Sequence, residues 1–346
     1  KEPFKGHNPE WTTAAAVEFI EEHKDRPFYL HVCSTLLHGP TRGWHDSLTT
    51  KELMTGEGMI KKPINSQPSR ESVLKRIKEA GLTDEESGYT WMDDSIGVIL
   101  DKLDELGIAD NTVFLFVSDH GSNGKGSVFR QRAMEVPCII RWPKGIKAGT
   151  VTHELMQSTD FVATWFDLAG AKLPDGYPID GKSFASLFKT PDQPYRTYVF
   201  GEMGGARSIK TKEWSLITLR YPEELLAYEG RQIKRLAGLS GGISRAGHSH
   251  KHAFDVDQLY HFTQDPKEQD NLADSPEHAA QLKKMKQTLA EVLKRFPDRP
   301  YGEFIPGGNT RGPDEAEPTL KRLKEFYGSD PKDKKRRDRK NKKSSS

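Results

Sequence analysis

The 346 residues carry 52 Lys and Arg against 50 Asp and Glu, and 34% of them are hydrophobic. That is enough chain for one large or two modest domains with a polar surface. Between residues 332 and 346, nine Lys or Arg and two Asp give a net of +7 inside a formal total of +2, which leaves the body at −5 and argues against a nucleic-acid-binding fold or partner. No apolar run reaches the ~20 residues of a membrane-spanning helix, so no membrane span is expected.

Taken in order, Lys1–Gly6 lacks the apolar core of a signal peptide and regular patterns begin almost at once, so the chain reads as the downstream part of a longer protein. Asn8 as a cap and Pro9 in the first turn open a helix reaching about Lys24, with Ala16, Phe19 and Ile20 on one face. Residues 28–35, FYLHVCST, have strand composition and end at Leu36-Leu37-His38-Gly39-Pro40. Residues 41–67 have no clear period and read as a long surface excursion. A short helix is predicted over 68–80, and a longer one over 84–106 with Tyr89, Met92, Ile96, Ile99, Leu100 and Leu103 inward. Cys33 and Cys138 lie in strand-like runs and read as two buried free thiols.

The densest chemistry lies at residues 111–143. Thr112–Ser118 is a continuous apolar run, predicted to be a strand buried on both faces. It stops at Asp119, His120 and Gly121, with Lys125 between two glycines, before Val136–Trp142 returns to the core. Strand ends are where ligands collect in open α/β sheets. By itself Asp119 either binds a cation or caps a turn, His120 makes an ordinary hydrogen bond or ligates metal, and Lys125 is solvated or contacts an anion. A helix capped near Ser158 follows over 157–169, with Phe161, Val162, Trp165 and Leu168 inward, and another short one opens at Gly181. From residue 196 short alternating strands at 197–200, 207–209, 214–219 and 258–262 and a helix over 277–295 give a smaller α+β subdomain. The insertion 222–257, with His248, His250 and His252, reads as a solvated loop. The stretch 306–346 reads as an extended, disordered basic tail.

Ser118-Asp119-His120-Gly121, Gly124-Lys125-Gly126 and the run Val136-Pro137-Cys138-Ile139-Ile140-Arg141-Trp142-Pro143 resemble, in order, the second signature region of the sulfatase family. The resemblance extends from about Pro9 to about Phe296. It implies an alkaline-phosphatase-like α/β core, with a mostly parallel sheet flanked by helices, over 1–195, a small antiparallel α+β subdomain over 196–305, and hydrolysis of a sulfate ester on a small molecule or polysaccharide. It further implies that Asp119 and His120 hold one divalent cation, usually calcium, although imidazole better suits Mn, Fe or Zn. It also implies that Lys125 contacts sulfate and that His38 protonates the departing alkoxide. Arg207 falls near an Arg-x-Ile strand of the small subdomain, with a packing or surface-pair role as its default. Family members are commonly exported or lysosomal.

Ser66-Gln67-Pro68-Ser69-Arg70 has the form of the family's formylglycine motif but follows His38 instead of preceding it, and reads as a helix start capped by Ser66 or Ser69. The nucleophile is therefore expected upstream of Lys1, and these 346 residues alone are expected to be inactive. The alternatives are a phosphoester or phosphonate-ester hydrolase of the same superfamily and a noncatalytic anion-binding module.

Overall fold

The computed structural model describes residues 6–39, 43–51, 53–60, 62–121, 127–203, 206–219, 250–252 and 255–295. Lys125 with its flanking glycines, His248, most of the 222–257 insertion and the basic tail lie outside the described residues. The chain divides into two units, Lys1–Phe114 with Ile140–Ile146, and Leu115–Ile139 with Lys147–Ser346.

The first unit is helical. Helix α1 (Pro9–His23) starts at Pro9, whose missing N–H costs nothing in a first turn, but Asn8 makes no side-chain cap. Residues 43–51 correct the reading of a surface excursion: α2 (Trp44–Thr49) buries Trp44, Ser47 and Leu48. Its start is stabilised from a distance, because the Asp84 carboxylate accepts the Trp44 and His45 amides at 2.8 and 2.6 Å. A two-strand ladder, β1 (Met54–Thr55) with β2 (Gly58–Met59), follows. Helix α3 (Arg70–Glu79) is capped by Ser69, whose Oγ accepts the Ser72 amide at 3.2 Å.

Helix α4 (Glu85–Glu105) is in the predicted place with its inward face rotated. Ser87, Gly88, Trp91, Ser95, Ile99 and Leu103 are buried, whereas Tyr89 is exposed. Trp91 sets the rotation by joining Leu36, Trp44, Leu48, Val73 and Ile77 in one core cluster. Gly88 allows the approach, since a Cβ there would lie 2.7 Å from the Trp44 ring. Gly88→Ala should therefore lower stability by about 1–3 kcal/mol through overpacking, although Ala is intrinsically favoured in a helix by about 1 kcal/mol; chemical denaturation decides between the two. A second cluster, with Ala16, Ile20, Ile99, Leu103 and Ala109 at its centre, packs α1 on α4 and takes in Phe28, Leu30 and Phe114.

Residues 28–35 are assigned no strand, contrary to their composition. Phe28 and Leu30 reach the α1–α4 cluster while Tyr29 is 70% exposed and Val32 and Cys33 are exposed as well. The alternation is there, but a strand exists only where a neighbour supplies ladder hydrogen bonds, and none does among the described residues. β3 (Phe114–Val117) and β4 (Cys138–Arg141) pair as a two-stranded sheet. All four β3 residues are half-buried and Ile139 is 63% exposed, so the prediction of a strand covered on both faces is not met. Cys33 and Cys138 are free, as predicted, but exposed.

In the second unit β5 (Val199–Met203), β6 (Ala206–Lys210), β7 (Trp214–Leu219) and β8 (Asp257–His261) form an antiparallel sheet in chain order. Its two faces are filled differently. Ala206, Ile217, Leu219 and Tyr260 pack with Val128 and Phe129, and Ile209, Leu216 and Leu259 pack with Met285, Leu289, Val292 and Leu293 of helix α6 (Ala279–Leu293). Helix α5 (Asp160–Leu168) buries Asp160 and Thr164 and leaves Val162 exposed, so its predicted apolar face is also displaced. Asp160 accepts the Gln157 and Lys182 amides at 3.0 and 2.9 Å and pairs with Arg196. That fixes the helix by a polar anchor where the pattern pointed to apolar ones.

Candidate functional site

The β3 strand delivers Ser118, Asp119, His120 and Gly121 to its carboxyl end in a tight turn. Asp119 Oδ1 accepts the His120 amide at 2.9 Å, and Ser118 Oγ donates to the His120 carbonyl at 3.0 Å. The His120 ring stands between two oxygens, Nε2 3.2 Å from Asp119 Oδ2 and Nδ1 3.0 Å from the Gly121 carbonyl. The Asp119 side chain is 82% exposed and that of His120 33%. One carboxylate is thus open to solvent with an imidazole folded against it. Gly121 donates its N–H to the Ala133 carbonyl at 2.8 Å, which ties the turn to a short π-helix, Arg130–Met134.

His38 lies in the first unit. It is exposed and donates its amide to the Thr35 carbonyl at 3.0 Å. Beside it is His7, a residue that sequence reasoning missed. His7 Nδ1 is 2.8 Å from Thr35 Oγ1, its amide donates to Ser47 Oγ at 2.9 Å and its ring stacks on Trp44. Burial lowers its pKa, with His38 and Arg70 as further positive neighbours, while a backbone hydrogen bond to His38 opposes this. The folded chain therefore resists a proton that the unfolded chain accepts below about pH 6.5. Stability should fall as pH drops through that value, and His7→Gln should flatten the fall; equal slopes in denaturation series at pH 5 and 7.5 would contradict this. The only advance signal for His7 was an unassigned histidine just ahead of α1.

The structure brings Asp119 and His120 together. His38 belongs to the other unit, and Lys125 is outside the described residues. Ser66 donates its hydroxyl to the Glu10 carbonyl at 2.6 Å and Ser69 caps α3, so both hydroxyls of the formylglycine-like string serve the backbone. His250 corrects the reading of a solvated loop. It is 4% exposed, its Nδ1 accepts the His252 amide at 3.2 Å, its Nε2 therefore donates to the Glu268 carbonyl at 2.7 Å, and its ring lies on Phe129. His252 pairs with Asp255 at 2.7 Å. Arg207 is buried on β6, 3.4 Å from Glu202, so it is not the surface pair that was one of its two expected roles.

Among the described residues no three His, Cys, Asp or Glu side chains gather to hold a metal. Asp119 and His120 can supply two donors. The open carboxylate fits a hard divalent cation, and the imidazole would have to turn from Asp119 to join it.

Residues 2–171 match the family model of sulfatases, and residues 119–229 match the model of the C-terminal region of N-sulphoglucosamine sulphohydrolase. The chain belongs to the sulfatase family. This sulfatase-family chain is 27% identical over 242 residues to an ulvan-active sulfatase of Formosa agariphila, covering 67% of this chain and 46% of that protein. It is 28% identical over 215 residues to an N-acetylglucosamine-6-O-sulfatase of Bacteroides thetaiotaomicron, covering 60% and 34%. The chain thus spans less than half the length of these relatives.

Among solved structures, one described as a complex with its substrate D-glucosamine-2-N,6-O-disulfate superposes with a TM-score of 0.58 at 19% identity, over 86% of this chain and 71% of that one. One from work on glycosaminoglycan metabolism by Bacteroides thetaiotaomicron superposes at 0.57 with 20% identity, over 83% and 54%. At such identities the likeness is one of fold. The sulfatase-family chain shares the fold of these neighbours, mixed helix and sheet with a C-terminal antiparallel sheet. Among its described residues no helix is long and apolar enough to cross a membrane.

Proposed function

We propose that this chain supplies part of the active site of an exported sulfatase that hydrolyses a sulfate ester on a carbohydrate. The observation that carries this reading is the Asp119–His120 pair at the mouth of β3, with its accessible carboxylate, inside the stretch that matches the sulfatase model. The names of the relatives support a sulfated sugar as substrate.

Asp119 is assigned to a divalent cation of the calcium type, with His120 as neighbouring donor. When bound, the cation would supply positive charge to orient the sulfate. As the bond from sulfur to the bridging oxygen breaks, negative charge grows on that oxygen. His38 is assigned to protonate it, and Lys125 to balance the sulfate oxygens as a point charge. No nucleophile is assigned within these residues. The hydroxyls of Ser66 and Ser69, already bonded to backbone groups, do not fit the formylglycine role.

The test is sulfate release from an aryl sulfate by the full-length gene product. Chelation should stop turnover and added Ca2+ restore it; a rate untouched by chelation would remove the cation from the account. His38→Ala should lower kcat by about 10²–10⁴-fold with an unchanged melting temperature, and parallel losses of both would reduce His38 to a structural turn residue.

A further inference from the structure

Glu268 is 1% exposed and stands at positive φ (54°), a conformation that side chains other than glycine seldom adopt without a compensating contact. Its own carbonyl accepts from His250 at 2.7 Å and its amide donates to the Asp265 carbonyl at 3.0 Å. Its carboxylate is shared between two groups of donors. Oε1 accepts from Lys210 Nζ at 3.2 Å and from Ser215 Oγ, on β6 and β7. Oε2 accepts the backbone amide of Arg130 at 2.7 Å, across 138 residues of sequence. Lys210 Nζ also donates to Ser215 Oγ at 2.6 Å, closing a buried triad.

Arg130 opens the π-helix whose Ala133 carbonyl holds the Gly121 amide. The same arginine is gripped from the subdomain on two more sides: its guanidinium lies 3.6 Å over the Phe262 ring, and its Nη1 donates to the Thr211 carbonyl at 3.2 Å. A continuous series of contacts within one unit therefore runs from the antiparallel sheet, through Glu268, Arg130 and Ala133, to Gly121 beside Asp119 and His120.

We propose that Glu268 is a positioning residue for the candidate site, an anchor through which the antiparallel subdomain sets the place of the Asp119–Gly121 turn. The role of the turn in catalysis rests on the function proposed above; the anchoring does not. The chemistry explains why a carboxylate is required. Only a carboxylate has acceptors at both ends, one for Lys210 and Ser215 and one for the Arg130 amide, whereas a carboxamide has a single acceptor oxygen and turns an N–H toward one of the two groups. Burial depresses the pKa of Lys210, and its neighbour Glu268 opposes that shift. Removing the acid alone would therefore strand a buried ammonium and confuse anchoring with folding.

The informative variant is Lys210→Met/Glu268→Leu, which leaves neither charge buried alone and removes the acceptor of the Arg130 amide, compared with the unaltered full-length protein by hydrogen exchange on peptides spanning 115–134 and 279–293. It should speed exchange at 115–134 by about tenfold or more while changing 279–293 far less. Exchange that stays the same at 115–134, or that rises equally in both peptides, overturns the proposal. The second readout is kcat with an aryl sulfate, well below the melting temperature, which should fall with the local loosening. If the unaltered protein shows no sulfate release, the reading of the site fails while the exchange comparison still decides the role of Glu268.

Discussion

Asp119→Asn should cut sulfate release by the full-length protein on the order of 10²-fold or more and leave its melting temperature where it was. The carboxylate is mostly exposed, and its partners are the amide and ring of the adjacent His120. An asparagine oxygen can keep the amide bond, and exposed positions of this kind usually change stability by no more than about 0.5 kcal/mol. What the substitution removes is the charge that would face a cation. Full activity in the Asn variant, matched by loss in a Pro or Ala variant that breaks the turn, would make Asp119 a turn former. That was the rival reading of a lone Asp before glycine.

The largest expected loss of stability lies in the first unit. Glu10 is buried in α1 and its carboxylate receives Arg70 Nε at 2.8 Å and Nη2 at 3.0 Å, with Trp91 Nε1 at 3.1 Å. The guanidinium lies 4.7 Å over the Trp91 ring, and it also donates to the His7 and Ser47 carbonyls. Arg70→Ala strands a carboxylate away from water and should cost about 3–5 kcal/mol, read as a lowered denaturation midpoint. The double variant Glu10→Leu/Arg70→Met should lose less than the single one, because it leaves no unpaired charge behind. A double loss equal to the sum of the two single losses would show that the pair is not coupled.

The antiparallel sheet was readable because strict alternation and short turns are local signals, and β6, β7 and α6 fall within a few residues of their predicted spans. Helix existence was readable for the same reason, but the buried faces of α4 and α5 were not. Each is rotated by a distant partner: Trp91 is drawn into a cluster with Trp44 and Leu36, and Asp160 is held by Lys182 and Arg196. Helix α2 escaped notice because its amides are capped by Asp84, 40 residues away from Trp44. The run at 28–35 has strand composition, yet composition cannot supply the neighbouring edge that makes a strand.

At the candidate site, the pairing of Asp119 with His120 followed from their adjacency at a strand end. The contribution of Glu268 could not be found that way, since an acid in a turn 138 residues beyond Arg130 carries no local mark of its partner. The Ser66–Arg70 string shows the opposite hazard. Its letters fit a catalytic motif, while its atoms build a helix start and an ion pair with Glu10.

The most direct test of the account is a side-by-side measurement of initial rates on an aryl sulfate, an aryl phosphate and an aryl phosphonate of the same leaving group, using the full-length gene product with Ca2+. The account predicts that the sulfate ester is turned over fastest and that Asp119→Asn removes that activity. Faster turnover of the phosphate or phosphonate ester, or saturable sulfate-ester binding without any turnover, would contradict it.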